Sequence, residues 1–275
     1  MLVFTISFIA GFLMVAGFAY LNRQLRIFTP PGRKLRVLEY HSVSVNGFAD
    51  QITIPKEMLI RHLEYLKTNG YRTMWLSEID AYQKAGKLLP PKTVLLTFDD
   101  GYVNNYTELF PLLKQYGMKA VCFMVLGRIG RNIDWAGQYV NDSMVLMNRQ
   151  QLSEIGAHIE LAHHTYKHDN YTKISFEDID EDLRKSFEVI RRENLNVFPA
   201  LAYTFGRYYR KKGENQKRLF SILEKYGIRY AFRIGNRING FPLKSRFDLQ
   251  RTDIRGTDSF EDFKVKLRFG RKKLF

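Results

Sequence analysis

The chain alternates between two kinds of hydrophobic pattern. Leu35-Arg36-Val37-Leu38-Glu39-Tyr40 is short and apolar at alternate positions, whereas Val94-Leu95-Leu96-Thr97-Phe98 and Val121 to Leu126 are continuous apolar runs of the kind that form buried parallel strands. Between them, Pro55 to Asn69 carries Met58, Leu59, His62, Leu63 and Leu66 at helical spacing, with Pro55 at the start and Gly70 just past the end. Asn104 to Tyr116 repeats the pattern with Leu109, Leu112 and Leu113 and closes at Gly117. Ser175, Glu177 and Asp178 open a charged amphipathic helix through Phe176, Ile179, Leu183, Phe187 and Ile190, and Gln216 to Tyr226 makes another that ends at Gly227. Strand and helix alternate, which predicts an α/β fold around a parallel sheet, open or closed as a distorted barrel, with active groups at the carboxyl ends of strands.

A different pattern occupies the start. Leu2 to Leu21 contains no charged side chain, and at a rise of about 1.5 Å per residue that run is about long enough to cross a bilayer. The only positive charge before it is the amino terminus, so the pattern predicts an uncleaved transmembrane anchor rather than a signal peptide. The expected organisation is a membrane segment over 1–22, a basic spacer over 23–34 containing Thr29-Pro30-Pro31-Gly32, and one catalytic domain over 35–275. Arg23, Arg26, Arg33, Lys34 and Arg36 follow the segment, and the positive-inside bias would place that flank in the cytoplasm. Large folded domains often translocate despite that bias, and the expected location is the cell membrane with the domain on the extracytoplasmic face.

Composition adds two constraints. The 43 Lys and Arg against 28 Asp and Glu leave a net charge of +15, which favours anionic envelope polymers or lipids as neighbours. No zinc-finger spacing, aromatic ribonucleoprotein motif or basic heptad accompanies it, so no nucleic-acid partner is expected. Cys122 is the only cysteine, which excludes an intramolecular disulfide and a cysteine-based zinc site; its apolar strand makes it a core residue.

Two clusters carry candidate chemistry. Thr97-Phe98-Asp99-Asp100-Gly101-Tyr102 places adjacent carboxylates at the end of a buried strand, before a glycine that permits a sharp turn. There one carboxylate can bind a metal while its neighbour, aimed differently, takes a proton from water; an Asp-Gly turn with a helix cap is the structural alternative. The second cluster is His163-His164-Thr165-Tyr166-Lys167-His168. Asp100, His164 and His168 would make three protein ligands with the fourth position left open, as catalytic zinc requires. His158 and His163 read as supporting or packing residues, and Trp75 and Trp135 fit core packing and sugar platforms equally.

With both motifs in view, the order TFDDGY then H-T-x-x-H resembles the polysaccharide deacetylases of carbohydrate esterase family 4, the NodB-homology domain. His-Asp-Asn after the histidine pair, the charged helix and Ala202-Tyr203-Thr204-Phe205-Gly206-Arg207 extend the resemblance over about residues 36–257. It implies a distorted (β/α) barrel of the NodB-homology type and a divalent metal, usually zinc, held by Asp100, His164 and His168. It further implies Asp99 as general base and a backbone N–H at Phe205 stabilising the oxyanion. The family most often has Pro where this chain has Thr204, and it usually places a proton-donating histidine near the C-terminus, whereas no histidine follows His168. Leu38-Glu39-Tyr40-His41-Ser42-Val43 resembles the rearranged branch acting on poly-β-1,6-N-acetylglucosamine, in which that strand comes first. His41 is then the candidate general acid, and Arg251, in Leu249 to Ile254, the candidate for orienting Asp99. The implied activity is hydrolysis of N-acetyl groups from an N-acetylglucosamine polymer, releasing acetate. The alternatives are a catalytically silent polysaccharide-binding protein of the same fold and a deacetylase of peptidoglycan or an O-acetylated polymer.

Overall fold

The computed structural model describes residues 14–20, 22, 25, 26, 28–135 and 144–272. Most of the expected membrane segment over 1–22 lies outside the described residues; residues 14–20 are helical. Among the described residues no helix is long and apolar enough to cross a membrane.

Seven parallel strands close into a barrel. In ring order they are β1 (Lys34–Tyr40), β5 (Thr93–Asp100), β6 (Ala120–Met124), β7 (Ile159–His163), β8 (Val197–Ala202), β9 (Tyr230–Ile234) and β11 (Leu249–Asp253). The ring closes because β1 pairs on one side with β5, from Arg36↔Val94 to Tyr40↔Phe98, and on the other with β11 at Leu38↔Thr252 and Glu39↔Asp253. Short β4 (Arg72–Thr73) and β10 (Asn239–Gly240) add to β5 and β1 outside the ring, and β2 (Ser42–Ser44) pairs with β3 (Thr53–Pro55).

Strand alternation sorts the core into two layers. Leu35, Val37, Leu95, Val121, Phe123, Ala162, Ala200, Ala202 and Phe232 form one buried cluster filling the barrel. Their sequence neighbours Leu38, Tyr40, Val94, Leu96, Phe98, Cys122 and Met124 belong to a second cluster. That outer cluster meets α1 (Lys56–Thr68) through Leu59, Leu63 and Leu66, α3 (Phe110–Tyr116) through Leu112 and Leu113, and α7 (Phe260–Phe269) through Phe263 and Leu267. A third cluster joins Ile179 and Leu183 of α5 (Phe176–Arg192) to Leu219 and Leu223 of α6 (Glu214–Lys225) and to Leu201 and Ala231. Each such buried leucine contributes about 1.5–3 kcal/mol of transfer free energy. Cys122 is fully buried, as its apolar strand predicts.

One end of the barrel is plugged. Leu76 and Ile79 of α2 (Leu76–Lys84), with Met74, Leu89, Phe241 and Leu243, join the interior cluster near the start of the strands. Glu160 of β7 accepts from the backbone N–H of Leu76 and Ser77 at 2.9 and 3.1 Å, placing a carboxylate at the α2 N-terminus, where the helix dipole favours it. The carboxyl ends of the strands stay open and form the mouth.

The helix expected over Asn104 to Tyr116 forms with a change of pitch. Asn105–Leu109 is a π-turn and α3 begins at Phe110, with Pro111 in its first turn. Proline has no N–H to donate to the preceding turn, which explains the break. The π-turn leaves Asn105 buried, its Nδ2 donating to the carbonyl of His41 at 2.9 Å. The remaining short helix, α4 (Arg149–Glu154), is capped by Asn148.

Candidate functional site

At the mouth a cleft of about 730 Å³ collects residues from almost every strand end, among them Glu39, His41, Asp99, Asp100, Trp135, His164, His168 and Phe205. Four non-glycine residues there have left-handed backbone: Asp100 (φ 69°), Thr165 (φ 66°), His168 (φ 68°) and Phe205 (φ 56°). Each such conformation costs about 1–3 kcal/mol, and its concentration at one place marks geometry held for chemistry. For Asp100 the reason is visible. Asp99 follows Leu95 and Thr97 on the interior side of β5, and its neighbour would face outward in a regular strand. The positive φ takes Asp100 out of that alternation, and both carboxylates reach the cleft.

Asp100, His164 and His168 form the first cluster. Asp100 Oδ1 lies 3.4 Å from His164 Nε2 and 3.3 Å from His168 Nε2. It is buried and has no hydrogen-bond partner. His164 Nδ1 stands 2.9 Å from the carbonyl of Ala202; donating to it fixes the tautomer that leaves Nε2 as the free acceptor. Donors about 2.0–2.2 Å from a tetrahedral ion are about 3.3–3.5 Å from one another, so the observed separations fit such an ion. An orphaned buried acceptor facing two imidazole nitrogens also calls for a cation between them. Burial opposes ionisation of Asp100, but His168 and then His164 outweigh it and hold the carboxyl below the usual range. Burial pulls the His164 imidazole down to about 4, against the attraction of Asp99, so the neutral form that binds metal is the resident one at neutral pH.

The second cluster lies beside it. Arg251, fully buried, donates from Nη1 to Asp99 Oδ1 at 2.6 Å and from Nη2 to Asp99 Oδ2 at 2.7 Å, a bidentate fork. Its Nε is 3.3 Å from Glu39 Oε2. His41 Nε2 sits 3.9 Å from Asp99 Oδ2 and 4.0 Å from Glu39 Oε1. Burial acts to raise the Asp99 pKa, but Arg251 and His164 outweigh it, and the carboxyl stays ionised below its ordinary value. Burial pushes Glu39 up to about 7 even though Arg251 pulls the other way. One guanidinium thus serves two carboxylates, and Asp99 holds the larger share.

The walls settle several sequence readings. Trp135 stacks on His168 with ring centroids 4.3 Å apart, and Phe205 meets the same imidazole edge-on at 4.8 Å. Trp135 is therefore part of the cleft. Trp75 is at the plugged end, its Nε1 donating to the carbonyl of His158 at 3.3 Å. His163 packs against Phe187, and burial lowers it to about 3, as fits a packing residue. Thr204, where the family pattern has proline, donates from Oγ1 to the carbonyl of Asp169 at 2.5 Å and so ties the Phe205 turn to the histidine loop.

All seven residues singled out from sequence, Asp99, Asp100, His164, His168, His41, Phe205 and Arg251, line or directly support this cleft. Sequence reasoning missed three others. Glu39 is one, although its alternation with Leu35 and Val37 already placed it on the interior face of β1. Asn105 is the second. The third is Asp182 of α5, which accepts from the backbone of Tyr166 at 3.0 Å and of Lys167 at 3.3 Å and from the Tyr171 hydroxyl at 2.7 Å. Burial raises Asp182 to about 6. Its position between Ile179, Leu183 and Ser186 on the apolar side of a charged helix was the available signal.

Comparisons with known proteins agree with this geometry. A family model for polysaccharide deacetylase matches residues 86–231, more than half of the chain. The Bacillus subtilis (strain 168) protein YxkH is 31% identical over 179 residues, covering 64% of this chain and 58% of that protein. A Staphylococcus aureus (strain N315) protein named poly-beta-1,6-N-acetyl-D-glucosamine N-deacetylase is 26% identical over 201 residues, covering 71% of this chain and 62% of that one. The chain thus spans a little over half the length of these curated relatives. Its fold is similar to that of a de-N-acetylase from Aggregatibacter actinomycetemcomitans, with a TM-score of 0.70 at 22% identity over 84% of this chain and 99% of the other. The family match takes in the carboxylate pair, both histidines and the Phe205 turn, and the chain belongs to the polysaccharide deacetylase family.

Proposed function

We propose that this chain is a metal-dependent hydrolase that removes N-acetyl groups from a poly-β-1,6-N-acetylglucosamine polymer of the cell envelope, releasing acetate. The observation that carries the reading is the pairing of a candidate metal-ligand triad, built around the unpartnered Asp100 Oδ1, with a buried, Arg251-bound carboxylate beside it. The linkage rests on the name of the Staphylococcus relative and on His41, which supplies from just after the first strand a proton donor the C-terminal part of the chain lacks.

Asp100, His164 and His168 would hold the ion, and their one-carboxylate, two-imidazole set suits zinc. Such an ion supplies Lewis acidity toward the acetamide carbonyl and lowers the pKa of a water. The rest of the chemistry belongs to the protein. Asp99, held ionised by the Arg251 fork, accepts the proton of the attacking water through a lone pair the guanidinium leaves free. The N–H of Phe205, at the strained turn after β8, faces the negative charge that grows on the carbonyl oxygen. His41 gives a proton to the departing amine as the C–N bond breaks. Trp135, stacked on His168, offers an aromatic face to a sugar ring. The expected location is the extracytoplasmic face of the cell membrane, held there by the segment over 1–22.

Acetate release from β-1,6-linked N-acetylglucosamine oligomers, chitin oligomers, peptidoglycan and O-acetylated xylan, each with added zinc, tests the reading. Fastest release from the β-1,6 oligomers is expected. A preference for peptidoglycan would redirect the substrate while leaving the chemistry, and polymer binding without acetate release from any substrate would contradict the enzyme.

A further inference from the structure

The two ends of the barrel present different surfaces, and the chain enters at the plugged one. Leu25 is buried and Arg26 donates from Nε to the carbonyl of Ile238 at 3.0 Å, with its guanidinium lying against Gly240. Leu89 N–H donates to Gly32 O at 3.2 Å and Phe241 N–H to Arg33 O at 3.0 Å. Residues 25, 26 and 28–33 are thereby strapped across the starts of the strands. Only five positions separate Arg26 from Leu21, the last residue of the uncharged run. A chain that long reaches about 17 Å at full extension. Arg26 and Arg36, counted above as a cytoplasm-favouring flank, are occupied by the barrel itself, since Arg36 Nε donates to the carbonyl of Leu267 at 3.0 Å.

Around this strap the carboxylates are already neutralised. Asp80 pairs with Lys84 at 2.9 Å and Arg229 at 2.7 Å, Glu224 pairs with Arg246 at 2.9 Å, and Asp248 pairs with Arg233. Arg33, Lys87 and Lys244 are exposed, with no ion-pair partner among the described residues. Arg33 and Lys244 line one cleft, of about 630 Å³. Leu88, next to Lys87, is 45% exposed and lies against Gly32, and Phe28 is 61% exposed on the strap.

We propose that this face, centred on Arg33, Lys87 and Lys244, docks on the anionic headgroups of a lipid bilayer with Leu88 at the contact, so that the catalytic mouth points away from the membrane. The proposal rests on the membrane-segment part of the functional reading and is independent of the deacetylase chemistry. A bilayer fits better than a wall polymer for two reasons. The tether keeps the face within about 17 Å of the hydrocarbon edge, and exposed apolar side chains among unpaired cations match a headgroup boundary. The stretch of β5 from Thr93 to Asp99 then lifts Asp99 about 16 Å further out. The substrate is accordingly a polymer beyond the headgroups rather than a lipid-linked sugar at their level.

The test uses the full chain in vesicles of phosphatidylcholine with or without phosphatidylglycerol. Cys122 is buried, so Leu88→Cys or Phe48→Cys provides the only reactive thiol for a fluorescent label; Phe48 is 57% exposed on the mouth side. Quenching by headgroup-attached quencher lipids is expected to be strong at 88 in the anionic vesicles, weak at 88 in neutral ones and weak at 48 in both. Each of Arg33→Glu, Lys87→Glu and Lys244→Glu is expected to lower the docked-to-undocked ratio about fivefold or more, with acetate release from a soluble oligomer unchanged. Equal quenching at 88 and 48, quenching at 88 that ignores lipid charge, or insensitivity to the three reversals would overturn the proposal. Absence of acetate release from the wild type with the docking pattern intact would count against the deacetylase reading instead.

Discussion

Two clusters share the floor of the cleft, and they differ in how their buried polar atoms are satisfied. Around Asp100 an acceptor is left without a partner while two imidazole nitrogens face it. Around Asp99 both oxygens are taken by one guanidinium. Leaving a buried acceptor unpaired costs about 1–3 kcal/mol, so the first arrangement is complete only with a cation between its ligands. In the second, Asp99 is fully paired by Arg251 and fits proton transfer, while Glu39 Oε2 and Arg251 Nε, 3.3 Å apart, lack a hydrogen-bond partner. Adjacent residues of one strand thus belong to different chemistries, separated by the left-handed backbone that begins at Asp100.

The largest effect is expected at the unsatisfied cluster. Asp100→Ala should bring acetate release down to that of chelator-stripped wild type and abolish the rise in Tm that zinc gives the wild type, read by metal analysis and thermal melts. Asp99→Asn should separate the clusters, with activity falling about 10²–10⁴-fold while zinc content stays at the wild-type level. Loss of zinc in that variant would mean that the two carboxylates act as one site.

Arg251→Leu comes next. It strands Asp99 and Glu39 together in the barrel, and a denaturant midpoint should report about 3–5 kcal/mol of lost stability. Arg251→Lys, which keeps the charge and loses the fork, should lose less stability while still slowing acetate release.

Glu39→Gln gives the smallest change and sharpens the comparison through its sign. Burial raises the folded carboxyl to about 7 from an ordinary value of 4.5. Between those values the folded state holds the proton more tightly than the unfolded chain, so this group's contribution to stability falls as pH rises through the window. The amide of the variant cannot ionise, so the Tm of Glu39→Gln relative to wild type should climb from pH 4.5 to above 7. A difference that is flat with pH would mean that Glu39 is ionised throughout and shares Arg251 equally with Asp99.

The sequence made the barrel and the first cluster largely legible, for physical reasons. Uninterrupted apolar runs of strand length have few alternatives to burial on both faces, and polar residues at their ends, such as Asp99, Asp100 and His164, are then candidates for the mouth. The second cluster was harder because its members come from β1, β5 and β11, which meet only when the ring closes. Arg251 and His41 came from resemblance, and Glu39, although in phase with the interior Leu35 and Val37, acquires its partners only when ring closure brings Arg251 and Asp99 beside it. The family match covers residues 86–231, and so Glu39, His41 and Arg251 all fall outside it. Pro111 gave the signal for the break in the helix after Asp100, yet the π-turn itself, which turns Asn105 toward His41, has no sequence signature of its own.

The most direct test of the account is acetate release from a β-1,6-linked N-acetylglucosamine oligomer by chelator-stripped full-length chain titrated with zinc, in wild type and in Asp99→Asn. The account predicts that wild-type activity rises in step with bound zinc and levels off at one ion per chain, while Asp99→Asn binds the same ion and stays inactive. Activity that is indifferent to zinc, or an Asp99→Asn variant as fast as wild type, would contradict it.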